Sequence, residues 1–344
     1  MTSMIAAGIF LTLLSGGMNG LFTLPMRFLG QWSWENVWAI FIVGSCLLLP
    51  AMIVSVTAPA SWNVILHLPM RLLMVALVTG FAWGFGAIMF GQSVSAIGIS
   101  LANTFVLATS SALGAVLPMV LLAPQKLKEH SGLMVLAGVG IEICGIALCG
   151  RGGFLREQSP AGLETQQRGR LVGKARPLGV GFLLALGSGV LSAVFNIGFA
   201  LSHPISEYGQ RAGLSLSAST NLIWVIMLGS GALANLGFCG YLLTANRTFG
   251  NFSKPGGVKL YGLSLTMAAL WGGSIFVYGA ATTRLGPLGA SLGWPLSLTT
   301  GLLVANLAGI AAGEWNSSPK QARSWMFCGI GVLLVAIVVL SRAV

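Results

Sequence analysis

Long apolar runs follow one another along this chain, separated by short polar or proline-bearing breaks, and runs of that length predict helices rather than strands. A hydrocarbon core about 30 Å thick takes roughly 20 helical residues to cross. On that ruler the pattern predicts ten spans, over residues 4–24, 36–57, 72–93, 97–122, 132–150, 178–201, 217–243, 260–281, 287–310 and 324–341. The fold class that follows is all-α, a polytopic membrane protein of ten transmembrane helices. Pro59, Pro69, Pro124, Pro177, Pro204, Pro255 and Pro319 fall at or between the spans, as helix-ending residues should.

The longest polar stretch, 151–177, predicts a basic cytoplasmic loop between a first five-helix repeat (1–150) and a second (178–344). A duplication is visible in the residues themselves. Trp83-Gly84, Gly91 and Gly98 recur as Trp271-Gly272, Gly279 and Gly286, at a constant offset of 188 residues. A weaker echo links Ser15-Gly16 and Phe22 to Ser188-Gly189 and Phe195. An odd number of spans per half makes the second copy enter the membrane from the opposite side. The expectation is therefore a five-plus-five inverted repeat, a plan on which many secondary transporters build two gates around one central site.

Composition sharpens this picture. Only 7% of the 344 residues are charged and 55% are hydrophobic, against about 25% charged in a soluble domain. Lipid must solvate much of the chain. The 48 glycines fit the same solvent, since small residues let helices approach closely in a membrane. The five cysteines lie in apolar runs without a CxxC pair, which suggests neither a metal site nor a disulfide framework.

The net charge of +11 comes from basic residues in the short connections. No basic stripe with interleaved aromatics is present, so nucleic acid is excluded as a partner. Membrane topology accounts for the charge instead. With the N-terminus outside, the cytoplasmic connections hold 12 Lys and Arg (Arg27, Arg151, Arg156, Arg168, Arg170, Lys174, Arg176, Arg247, Lys254, Lys259, Lys320, Arg323) and the opposite side 6. The positive-inside rule then predicts both termini in the periplasm. Met1 to Ser3 carry no charge and the apolar run passes Gly20, so the first span reads as uncleaved.

Catalytic chemistry finds little to work with. The chain has no Asp, seven Glu and three His (His67, His130, His203), all three expected in loops. No HExxH or phosphate-binding loop occurs, and no cofactor is implied. Enzyme activity is not expected. Three glutamates are candidates for carrying a proton. Glu142 lies near the middle of the fifth span, where an ionisable group marks a functional path or a buried partner. Glu35 and Glu314 sit at span ends in similar settings, Trp34-Glu35-Asn36 and Glu314-Trp315-Asn316, both expected on the cytoplasmic side. Glu35 also falls in the first turn after Ser33, where the helix dipole favours a carboxylate.

Trp32, Trp34, Trp38, Trp62, Trp315 and Trp325 fit interfacial belts, whereas Trp83, Trp224, Trp271 and Trp294 lie within spans. As repeat mates, Trp83 and Trp271 are expected to face each other. Aromatic faces beside amides suit a neutral, hydroxyl-rich ligand such as a sugar. The candidate substrate contacts are Trp83, Trp271, Tyr278, Asn19, Gln92, Asn103, Asn196 and Trp294, with Asn306 a further polar group in the spans. Such amides serve equally as contacts between helices.

Several segments together resemble the bacterial L-rhamnose–proton symporters. They are Phe22-Thr-Leu-Pro25 followed by Trp32-Ser-Trp-Glu-Asn-Val-Trp38, Trp83-Gly84-Phe85-Gly86 with Gly91, Asn235-Leu-Gly-Phe-Cys239, Trp271 with Tyr278-Gly279, and Glu314-Trp315-Asn316. They are collinear and reach from the first span to the tenth, so the resemblance covers nearly the whole chain. Glu142 lies outside these shared motifs. The resemblance implies the drug/metabolite transporter superfamily, the inner membrane, and uptake of a deoxyhexose with a proton. The other reading within that superfamily is export of drugs or metabolites. Small-cation exporters need a carboxylate in the first span, and 4–24 has none.

Overall fold

The computed structural model describes residues 2–30, 32–159, 177–254 and 257–343, and these are all-helical, without strands. Among the described residues, ten helices are long and apolar enough to cross a membrane. We number them α1 (Thr2–Leu21), α2 (Trp34–Thr57), α3 (Met70–Ile97), α4 (Ile99–Leu122), α5 (His130–Glu157), α6 (Leu178–Leu201), α7 (Leu216–Ala245), α8 (Gly257–Thr282), α9 (Gly289–Ala311) and α10 (Lys320–Ser341). Phe10, Leu183, Leu233 and Phe327 along them are exposed, so the helices need lipid around them. The chain is a multi-pass membrane protein.

Each expected span overlaps one of these helices, and the largest difference of extent is in the fifth. The fifth runs to Glu157 instead of ending at 150, so the first part of the expected 151–177 loop is helical. Gly152 and Gly153 allow this. A Cβ at 152 would stand 2.8 Å from the Ala322 carbonyl of α10, and Gly153 lies against Ser100 at the start of α4. Glu157 then accepts hydrogen bonds from the Ser100 N–H (2.9 Å) and hydroxyl (2.7 Å). The rest of that loop, including Arg168, Arg170, Lys174 and Arg176, lies outside the described residues. In addition, His130 and His203 begin helices instead of lying in loops: His203–Arg211 is a short helix with Pro204 at its start, where the missing N–H costs nothing.

Two local breaks have visible causes. Within α2, residues Val43–Leu48 form a π-turn immediately before Pro50, whose absent N–H and ring disturb the helical ladder. After α9, Gly313 adopts φ 78°, and the Glu314 N–H returns to the Gly309 carbonyl at 3.0 Å, a Schellman end that fixes where Glu314 points.

The helices gather into two compact units, each drawing on both halves of the sequence. Unit 1 comprises Met1–Gly20, Gly86–Ala193 and Ala281–Val344; unit 2 comprises Leu21–Phe85 and Val194–Ala280. In unit 1, α5 and α10 pack antiparallel along a seven-residue repeat. Gly138 meets Leu340, Gly145 meets Leu333 and Gly152 meets Met326, and Cβ atoms at the first two would stand 2.6 and 2.7 Å from the leucine methyls. Removing the side chain at every seventh position lets the backbones approach. In unit 2, Gly44 faces Ala268 and Gly272 faces Ser45, which joins α2 to α8 in the same way.

Candidate functional site

Unit 2 is built around rings. Trp83 of α3 and Trp271 of α8 stack with centroids 5.2 Å apart and planes 12° from parallel, so these two tryptophans do face each other. Phe195 lies 5.0 Å from Trp83, and Phe41 meets Trp271 edge-on at 5.7 Å. Gly231 of α7 makes room, since a Cβ there would stand 2.7 Å from the Trp83 ring. Trp224 stacks on Phe199 at 4.1 Å and is fully buried, its indole N–H against Gly279 and without a hydrogen-bond partner. Beside these rings the Tyr278 hydroxyl donates to Asn196 Oδ1 at 2.5 Å. Four candidate contacts, Trp83, Trp271, Asn196 and Tyr278, thus come from one unit. The inner faces of the tryptophan pair cover each other, so a sugar ring stacking on either must first part them.

Glu35 belongs to the same unit and is 3% exposed. Its Oε1 accepts from Thr248 Oγ1 (2.7 Å) and Asn246 Nδ2 (3.1 Å). Asn36 Nδ2 donates to the Thr248 carbonyl, Asn251 Nδ2 to Asn36 Oδ1, and Trp32 Nε1 to the Asn251 carbonyl. The motif from Trp32 to Asn36 therefore binds the segment after α7 to the start of α2. Trp32 and Trp38 are held internally, Trp38 donating to Asn235 Oδ1 at 3.1 Å.

Unit 1 holds the other carboxylates. Glu142, the thirteenth of the 28 residues of α5, is 0% exposed. Ser111 of α4 donates to its Oε2 at 2.5 Å, Thr299 of α9 lies beside the carboxyl, and Oε1 has no partner. The neighbouring Ser110 accepts from Trp294 Nε1 and donates to Ser192 of α6, both at 3.0 Å. Trp294, 7% exposed, is locked against Gly114. A polar seam of hydroxyls and one indole thus crosses α4, α5, α6 and α9, and Ser15 of α1 extends it to Ser297 at 3.2 Å. Helices α4 and α9 contain no charged residue at all.

Glu314 differs from Glu35, although their sequence settings are alike. Its side chain is 29% exposed and accepts from Arg156 Nη1 at 3.2 Å, while the guanidinium lies 5.1 Å over the Trp315 ring. Of the remaining candidates, Asn19, Gln92 and Asn103 lie half-buried in unit 1, and none of these three side chains makes a hydrogen bond among the described residues. Asn306 Nδ2 is buried without a partner. Sequence reasoning missed Ser111, Thr299, Asn246 and Thr248. Only Ser111 left a trace, as part of the polar triplet Thr109-Ser110-Ser111 within an apolar run.

The chain was compared with known proteins. The family model described as L-rhamnose-proton symport protein matches residues 1–344. Proteins named L-rhamnose-proton symporter from Salmonella gallinarum and Citrobacter koseri are each 24% identical over 343 residues, covering 98% of this chain and 97% of the relative. A match of that extent takes in every helix described above, from the paired tryptophans to the buried Glu142, and the chain belongs to the L-rhamnose-proton symport protein family.

Proposed function

We propose that the chain is a secondary transporter of the bacterial inner membrane that imports L-rhamnose, or a related sugar, together with a proton. The carrying observation is the family match over the full chain, whose relatives bear that activity in their names. Sugar recognition falls to unit 2, where Trp83 and Trp271 offer ring faces and Asn196 and Tyr278 offer amide and hydroxyl groups. Indole faces cover the C–H face of a pyranose while an amide pairs with its hydroxyls.

Transport proceeds by alternating access. Two five-helix repeats of opposite orientation, within the drug/metabolite transporter superfamily, present a central site to each side in turn, with both termini periplasmic. A ligand moves such an equilibrium only through unequal affinity for the two states. Bound sugar and proton together favour the inward-open one. Purified protein in liposomes is expected to concentrate labelled L-rhamnose when the outside is made acidic. Uptake unaffected by a protonophore, or no uptake at all, would overturn this reading.

A further inference from the structure

The chain has seven glutamates and no aspartate, so a carboxyl proton carrier must be one of seven side chains. Glu164 lies outside the described residues, and five of the other six have a donor or a cation beside them. Glu129 pairs with Lys126, Glu207 with Arg211 and Glu314 with Arg156, while Glu157 caps Ser100. Glu35, though buried, has its Oε1 saturated by Asn246 and Thr248. Glu142 stands apart. It alone, among the described residues, has a carboxyl oxygen that is buried and unpartnered.

Its surroundings accept either protonation state. Ser111 donates to Oε2 in both. Thr299 commits its hydroxyl proton to the Pro295 carbonyl at 2.8 Å, which leaves its oxygen able to accept. Thr299, beside the carboxyl, is thus an acceptor available to the protonated acid. Among the described residues it makes no ion pair: α4 and α9 carry no ionisable residue, and the basic residues of α10, Lys320 and Arg323, lie in its first turn. Within α5 the nearest charged group is Arg151, more than two turns away.

We propose that Glu142 is the residue on which the transported proton resides, with Ser111 and Thr299 as positioning residues that tie its state to α4 and α9. This rests on the symport reading above. The proton adds to Oε1 on loading and leaves from it on release, and no other bond changes. Because Ser110 and Ser111 are adjacent, the carboxyl and the Trp294–Ser110–Ser192 chain share one turn of α4. A movement of Ser111 that accompanies proton loss is thereby carried to α6 and α9.

The test compares Glu142→Gln, Glu35→Gln and Glu314→Gln in liposomes. Glu142→Gln mimics the protonated acid, so it is expected to lose concentrative uptake under a proton gradient while keeping rhamnose exchange between equal concentrations. Glu142→Asp should restore part of the accumulation. The other two variants should keep protonophore-sensitive accumulation. Gradient-driven accumulation by Glu142→Gln would overturn the assignment. Infrared difference spectra of the purified protein across a pH titration supply a readout that needs no sugar. A protonated-carboxyl C=O band should titrate in the wild type and vanish in Glu142→Gln. If the wild type carries no rhamnose yet this band behaves so, the substrate reading fails and the proton site stands. If the band survives in Glu142→Gln, the proton site fails.

Discussion

The two compact units each bury a carboxylate, and they treat it in opposite ways. In unit 2, Glu35 sits inside a net of amides and a hydroxyl that bind the start of α2 to the segment after α7. In unit 1, Glu142 has a single donor and an unpartnered oxygen, and the helices that hold its two hydroxyl neighbours, α4 and α9, carry no cation. Burial alone therefore does not mark a working carboxyl. An acid held by two side-chain donors stabilises one structure, whereas an acid with a buried, unpartnered oxygen can change state without dismantling its site. The aromatic residues sharpen the contrast, because unit 2 stacks its rings on one another while unit 1 spends the buried Trp294 indole on a serine.

That contrast can be broken most forcefully at Trp224, which is fully buried between Phe195, Phe199 and Tyr278. Trp224→Ala should lower stability by about 3–5 kcal/mol, the usual cost of emptying an aromatic site. Thermal unfolding in detergent would read this, and an unchanged midpoint would show that the rings of unit 2 are not its core. Next, Glu35→Ala should cost about 1–3 kcal/mol, because Asn246 and Thr248 lose their shared acceptor. Glu35→Gln should recover much of that loss with rhamnose uptake intact. A Glu35→Gln protein that unfolds no later than Glu35→Ala would contradict the structural role given to this net.

Glu142→Gln should shift the unfolding midpoint far less, by under about 1 kcal/mol, since its amide oxygen still accepts from Ser111. A large loss of stability there would make Glu142 a structural group like Glu35. The smallest effect belongs to Arg156→Ala. That ion pair with Glu314 is part-exposed, so its removal should cost at most about 0.5 kcal/mol, and less as salt is raised. Scanning calorimetry at two ionic strengths decides the point.

Much of this was legible from residues alone, and the reasons are physical. All ten spans announce themselves because a membrane helix needs an apolar run of fixed length, and nothing else in a protein does. The Trp83–Trp271 stack was readable because both residues stand at one offset along a repeated pattern. The hydrogen bond from Tyr278 to Asn196 was not, although both residues were singled out, since sequence carries no register between α6 and α8. The end of α5 was missed because Arg151-Gly152-Gly153 reads as loop, and only Ser100, Ala322 and Met326 reveal why those glycines stay helical. Glu35 and Glu314 looked alike because the tripeptides around them are alike. What separates them, Asn246 and Thr248 for one and Arg156 for the other, is distant along the chain.

The glycine ladder of α5 against α10 has a mechanical consequence. Its notches recur every seven residues, the first two filled by leucine side chains and the third by the backbone of the neighbour. At 1.5 Å per residue the next equivalent seating is about 10 Å away, with no stopping place between. Sliding of one rod along the other is therefore forbidden, and the pair moves as a single lever. Whatever displaces the middle of α5, where Glu142 sits, must swing α10 through the same arc.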